Sequence, residues 1–287
     1  MKKVFPRFDP ADMLEFEPEA KVGLIATVNP QGLPHITLIT ALQAKTPTQL
    51  IWGQFSEGMS KRHVRTNPKT GFAIMTMDRS LWRGKARWTH TATHGEDHEM
   101  FNLKPMFRYN AYTGLHTIHY MDLVETGGRE KLPLASIALS SILTALARPG
   151  ARSNRQGRIL KPWAQGLFNR LDSVKFISWL DPDGFPVIVP LIQCQAPDST
   201  RLAFSPLAYR EELEYLQEGM VVAVFGLTLQ MEDVLVRGVF AGFGKFRGIT
   251  LGCMDIDWVY NSMPPVHGQI YPELGMQPVV HFQGGDR

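Results

Sequence analysis

The chain has 287 residues, 44% hydrophobic and 20% charged, with a formal net charge of +3. This is the balance of a globular chain with room for one large domain or two modest ones, and its small positive excess suits an anionic ligand while being too weak to argue for nucleic acid. Cys194 and Cys253 lie far apart with no C-x-x-C spacing, which argues against a disulfide scaffold or a cysteine zinc site and fits a reducing compartment.

At the N-terminus, the basic residues Lys2 and Lys3 lead into Val4-Phe5-Pro6-Arg7, with none of the apolar run that a signal peptide needs. No later stretch reaches the ~20 apolar residues of a membrane span. The expectation is a cytoplasmic chain with no membrane partner. The first ordered feature is a hairpin over residues 25–36, whose turn Asn29-Pro30-Gln31-Gly32 sets φ with Pro and supplies positive φ with Gly. The apolar strand Leu50-Ile51-Trp52-Gly53-Gln54-Phe55 then opens into the loop Ser56-Glu57-Gly58-Met59-Ser60-Lys61 and a short basic helix that stops at Asn67-Pro68. A strand that opens through Gly, Ser and Lys into a helix presents free N–H groups at the helix start, a ready site for phosphate.

Further along, Trp82-Arg83-Gly84-Lys85-Ala86 reads as strand, and residues 87–93 alternate in the same way. Gly95 breaks that segment before an acidic helix start, so His90, His94 and His98 do not share a face and no metal site is expected. His116 and His119 follow an aromatic stretch with Phe101, Phe107, Tyr109 and Tyr112; packed structural histidines are preferred there over a haem ligand. Residues 132–147 form an apolar helix, buried or docking, and residues 148–158 a basic surface linker. No Gly-x-Ser-x-Gly elbow occurs, residues 242–248 have the wrong spacing for a Rossmann turn, and residues 242–287 read as a Gly/Pro-rich tail over the second half.

The plan then repeats. Residues 25–36 recur as residues 177–188, with Asp181-Pro182-Asp183-Gly184 as the turn. Leu50-Ile51-Trp52-Gly53 matches Leu202-Ala203-Phe204-Ser205, Phe72-Ala73-Ile74-Met75 matches Val222-Ala223-Val224-Phe225, and Trp82-Arg83-Gly84 matches Val236-Arg237-Gly238. Many strands with turn signals at close spacing suggest small barrels. The expected organisation is residues 1–128 and 161–287 as two copies, joined by a helical linker over 129–160.

This order resembles the pyridoxamine 5'-phosphate oxidase-like FMN-binding split barrel. The carrying residues are Gly32-Leu33-Pro34-His35-Ile36-Thr37, Gly58-Met59-Ser60-Lys61 and Trp82-Arg83-Gly84-Lys85-Ala86. The resemblance implies a mainly β fold of two tandem split barrels and a bound FMN. Its phosphate would meet Lys61, Ser60 and the N–H groups of Gly58 and Met59. A strand over residues 36–41, with Thr37, Ile39 and Thr40, would lie along the ring; Gln54, Phe55 and Ser56 would face the ribityl chain; Arg83, with Lys85 and Arg87, would lie near the ring. Barrels of this family pack face to face with flavin at the junction, so the second copy would act as an intramolecular lid, leaving a further homodimer open. It lacks the loop, having Tyr209-Arg210-Glu211-Glu212 instead, and acidic residues there repel phosphate. The expected activity is a flavin-dependent oxidoreductase acting on a small substrate or redox partner, with no assignable general base. A non-catalytic flavin carrier and a haem-handling protein on the same fold are the alternatives.

Overall fold

The computed structural model describes residues 3–54, 58–104, 115–261 and 268–272. The first half runs α1 (Pro10–Leu14), β1 (Lys21–Val28), β2 (Pro34–Leu38), β3 (Gln43–Thr46) and β4 (Gln49–Gln54). It continues with α2 (Met59–Thr66), β5 (Lys69–Thr76), β6 (Ser80–Ala92), α3 (Glu96–Leu103), β7 (Thr117–Thr126) and β8 (Glu130–Lys131). The second half runs α4 (Leu134–Ala147), α5 (Pro162–Asn169), β9 (Val174–Leu180), β10 (Pro186–Pro190) and β11 (Arg201–Phe204). After these come α6 (Arg210–Leu213), β12 (Val221–Leu227), β13 (Asp233–Phe246), β14 (Ile249–Asn261) and β15 (Gly268–Tyr271).

Each half is one antiparallel sheet, and the two have the same strand order. The first reads β2-β1-β5-β6-β7-β4-β3 and the second β10-β9-β12-β13-β14-β11. The matched sequence blocks therefore occupy matched strands, and the chain is a tandem pair of split β-barrels. Both hairpin turns use the expected chemistry: Gly32 and Gly184 sit at φ +76° and +78°, and Asn29 Oδ1 accepts from the N–H groups of Gln31 and Leu33. The shared Arg-Gly pair also has a backbone cause. A Cβ on Gly84 would lie 1.9 Å from the Glu125 carbonyl oxygen, and one on Gly238 1.9 Å from that of Asp255, each beside a register shift. Only glycine fits such an approach.

Two expectations are corrected. The stretch from Gly242 to Asn261 is not a wrapping tail: it is the end of β13, a turn at Arg247-Gly248 and the whole of β14. Its glycines serve bulges and close contacts inside the sheet, with Gly252 under the ring of Phe204. The ring-side strand expected over residues 36–41 ends at Leu38, because the chain turns where the Ile39 N–H bonds to the Gly23 carbonyl and Leu42 N–H to that of Ile39.

Strand alternation divides the burial. Ile25, Phe72, Ile74 and Trp82 face the core of the first barrel, and Ile177, Val222, Val224 and Val236 that of the second. Their neighbours Leu24, Ala26, Ile36 and Ala73 turn the other way and share one cluster with Phe176, Ile188, Ala223, Phe225 and Trp258. Period-two patterning thus gives each strand a second buried face, and each large side chain in it contributes roughly 1.5–3 kcal/mol. The barrels touch backbone to backbone at Gly71, where a Cβ would lie 2.2 Å from the Pro186 carbonyl oxygen. No helix among the described residues is long and apolar enough to cross a membrane.

Candidate functional site

Similar halves facing each other create two related junctions, one at α2 and one at α6. At the first, Gly58 is extended and precedes α2 with no side-chain cap, so the first N–H groups of this helix have no capping side chain beneath them. Ser60, Lys61 and His63 are all buried. The Ser60 hydroxyl is hydrogen-bonded to that of Thr37, and His63 Nδ1 lies 3.0 Å from the Thr27 hydroxyl. His63 meets the ring of His35 edge-on at 5.3 Å. His35 in turn contacts Trp258 and Tyr260 on β14 of the other half. Over Trp258, at 4.5 Å, lies the guanidinium of Arg237.

Arg237 and Lys61 both act on the His35 imidazole of this cluster, Arg237 also acts on His63, and Asp257 acts on Arg237. Arg237 Nη1 and His35 Nδ1 are buried without a hydrogen-bond partner. Burial, and then Arg237, hold the His63 imidazole down to about 4. Burial, His63, Arg237 and Lys61 keep His35 neutral, well below the ordinary histidine range. Within the field of Lys61 and Arg65 on α2, His119 stacks on Trp52 at 3.7 Å, takes the Trp88 indole N–H on Nδ1 and meets Gln54 Oε1 through Nε2 at 2.8 Å. Those contacts fix its tautomer, and burial, Lys61 and Arg65 lower it to about 3. With both nitrogens engaged, His119 is unsuited to hold a haem iron.

Of the residues singled out by sequence, the structure brings together Gly58, Met59, Ser60, Lys61 and Thr37. Gln54 stands nearby through His119, whose charge state Lys61 also governs. Thr40 is half-buried in the turn after β2, and the Ile39 side chain packs in the first barrel's core, leaving only its backbone for a ligand. Phe55 and Ser56 lie outside the described residues, as do Phe107, Tyr109 and Tyr112. His90 ends up on β6, stacked on Tyr120, and His98 on α3.

Arg83 stands elsewhere. It donates to Glu130 Oε2 at 2.8 Å, to Glu212 Oε1 at 2.9 Å and to the Ile188 carbonyl at 3.2 Å. Lys85 pairs with Asp181 and Asp183, both at 2.7 Å, and Arg87 lies over Phe185. The three cations placed near a flavin ring by sequence therefore bind the second half's hairpin turn and α6. Burial opposes the charge on Arg83, but Glu130 and Glu212 outweigh it and raise its pKa. Beside it is a cavity of about 850 Å³ lined by six carboxylates (Glu125, Glu130, Asp181, Glu211, Glu212, Glu214) against Arg83 and Lys85. A phosphate does not fit that lining.

The loop that would cradle phosphate in the second half is also closed from outside. Thr144 Oγ1 on α4 accepts from the Ser205 N–H at 2.8 Å, and Ser140 Oγ from the Ala208 N–H at 3.0 Å. Sequence reasoning missed His35, His63, Arg237, Trp258 and Tyr260. The available signal was the Arg-Gly repeat: once Arg83 had a role, its partner Arg237 called for one.

No family model matches the sequence, and no curated protein does. Among solved structures the chain is similar to HupZ of Group A Streptococcus, at 14% identity and TM-score 0.34, covering 42% of this chain and 92% of that one. It is similar to an FMN-binding protein from Syntrophomonas wolfei subsp. wolfei, at 14% identity and TM-score 0.33, covering 40% of this chain and 80% of that one. A third is an F420 reductase, at 17% identity and TM-score 0.32, covering 40% and 93%.

Proposed function

We infer that the chain binds one FMN at the α2 junction and works as a flavin-dependent oxidoreductase on a small substrate. The observation that carries this reading is a pair of buried nitrogens, Arg237 Nη1 and His35 Nδ1, that lack hydrogen-bond partners beside the uncapped start of α2. Buried Lys61 stands at that helix start. A buried N–H without an acceptor is costly, and an anion seated between α2 and β13 removes the cost. A phosphate monoester supplies that anion and gains charge-assisted hydrogen bonds and the positive end of a helix.

In this reading residues 1–128 hold the phosphate, and residues 161–287 cover it from across the junction, as the partner barrel of a pseudo-dimer. Lys61, Ser60 and the N–H groups of Gly58 and Met59 bind. Neutral His35 and His63 pack against the second half and exclude water. His119 holds Gln54 through its 2.8 Å contact. A flavin, when bound, supplies hydride or electron transfer; the protein supplies orientation and the electrostatic field.

Titrating the flavin-free chain with FMN and following fluorescence quenching tests the reading. One equivalent is expected, and two per chain would remove the asymmetry on which it rests. Reduction of the loaded protein by NADH or NADPH, followed at the flavin absorption band, distinguishes an enzyme from a carrier.

A further inference from the structure

Helix α4 is inside out. Its polar residues Ser140, Ser141 and Thr144 are buried, where Ser140 and Thr144 bond the Ala208 and Ser205 amides and the Ser141 carbonyl accepts from Gln195. Ile137 is buried with them, but four large apolar residues face outward: Leu134, Leu139, Ile142 and Leu146 are 46%, 48%, 57% and 57% exposed. Ala135, Ala138 and Ala145 are exposed beside them. No charged residue interrupts this face, and a contiguous apolar stripe on an otherwise soluble surface marks an interaction site.

We propose that this face is the docking surface for a second copy of the chain, through antiparallel pairing of α4 with its symmetry mate. Three pairs of exposed residues, Ala135 and Ile142, Ala138 and Ala145, Leu139 and Leu146, are each one heptad apart. That spacing forms a helix-packing seam rather than a scattered patch. Alanines alternating with large residues let two helices approach and interdigitate, and a two-fold axis makes such a seam its own complement. The exposed side chains offer on the order of 500 Å² per copy, so a symmetric pair buries about 1,000 Å², the size at which specific interfaces begin.

Charge selects the antiparallel sense. Arg148 follows the helix and Arg247 bonds the Leu146 carbonyl at its C-terminal end. Antiparallel pairing keeps the two basic ends about 21 Å apart, the length of fourteen helical residues and beyond the screening length in physiological salt. With the symmetry axis level with position 140, Ala138 of one copy faces Ile142 of the other, and Leu134 faces Leu146. Of the Trp, Phe and Leu that membrane-surface helices insert, the stripe carries Leu alone, and residues 131–171 hold no acidic side chain; an anionic bilayer is therefore the rival occupant.

Sedimentation velocity of the full chain at micromolar concentration, with Ile142→Glu and Leu139→Glu, tests this. Both positions are exposed, so the variants keep the wild-type circular dichroism and melting temperature. The wild type is expected to sediment as a dimer and either variant as a monomer, with at least a tenfold weaker association. Mixing Ala138→Cys chains with Ile142→Cys chains under oxidation is expected to give a cross-linked dimer that neither gives alone; the native cysteines are both buried. A wild-type monomer, a dimer indifferent to Ile142→Glu, or a monomer that pelleted with phosphatidylserine vesicles through this face would each overturn the proposal. None of these readouts depends on flavin.

Discussion

The α2 and α6 junctions are built from matched strands, yet they solve the same electrostatic problem in opposite ways. At α6, Arg83 is enclosed by Glu130, Glu212 and the Ile188 carbonyl, and α4 hydroxyls take the loop amides. Arg83, Glu130, Glu212 and the amides of Ser205 and Ala208 there all have partners within the chain. At α2, the matching arginine, Arg237, rests on Trp258 with Nη1 lacking a hydrogen-bond partner. A repeat that satisfies itself on one side and stays unsatisfied on the other has specialised. The closed side stabilises, and the open side has a reason to bind.

The sharpest way to break the closed side is Arg83→Ala. It leaves Glu130 and Glu212, with side chains only 17% and 20% exposed, without their shared cation. Removing one partner of a buried pair costs about 3–5 kcal/mol. Urea denaturation is expected to show that loss, and a change within error would mean the ion triad is solvated and adds nothing to the junction.

Acid is expected to strain the two junctions unequally. The His63 imidazole titrates near 4 in the folded chain, held down by burial and then Arg237, against about 6.5 when unfolded. As pH falls through that interval the unfolded chain binds the proton first, so stability is full above about 6.5 and drains as pH approaches 4. The shift corresponds to about 3 kcal/mol. At α6 the same interval changes little: burial pushes Asp183 up, but the hydrogen bonds from Lys85 and the Phe185 N–H outweigh it and keep its carboxyl below the usual range. Melting temperatures from pH 7 to 4 are expected to fall, with a shallower slope in His63→Gln. An equal slope in that variant would assign the acid sensitivity to another group.

How far this asymmetry could be read from sequence depended on the range of the forces involved. The hairpin turns were legible because Asn-Pro-Gln-Gly and Asp-Pro-Asp-Gly act within four residues. The strand order was legible because alternation repeats in both halves. The end of β13 was misread as tail because Gly242, Gly244 and Gly252 answer to contacts with Glu218, Phe246 and Phe204, which local composition does not reveal. The role of Arg83 depends on Glu212, 129 positions away, and no spacing rule predicts that pair. For α4, apolarity left burial and docking open, and the loop amides of Ser205 and Ala208 select its serine and threonine face for burial.

Binding sharpens the comparison further. Lys61→Ala is expected to weaken FMN by about 1.5–3 kcal/mol, up to about a hundredfold, since a charge-assisted phosphate contact is lost. Arg237→Ala is expected to weaken it by a smaller factor at a small cost in stability, since the guanidinium gives up its stacking on Trp258 while Nη1 leaves no hydrogen-bond partner behind. Fluorescence quenching gives both constants. If Arg237→Ala bound FMN as well as the wild type, the second half would cover the site without contributing charge to it.

The smallest effect is expected at Arg210, the cation nearest in the repeat to the position of Lys61. Both residues lie at the start of the helix that follows a matched strand, so sequence alone offers them as equivalents. Their surroundings differ. Lys61 is 8% exposed, whereas Arg210 is solvent-exposed and turned along its own helix to Glu214 at 2.6 Å. An exposed ion pair within one helix adds little, and Glu211 and Glu212 beside it set a repulsive field for phosphate. Arg210→Ala is therefore expected to leave FMN affinity unchanged under conditions where Lys61→Ala lowers it. A loss matching that of Lys61→Ala would place the flavin at α6, beside the carboxylate-lined cavity, and reverse the assignment of the two junctions.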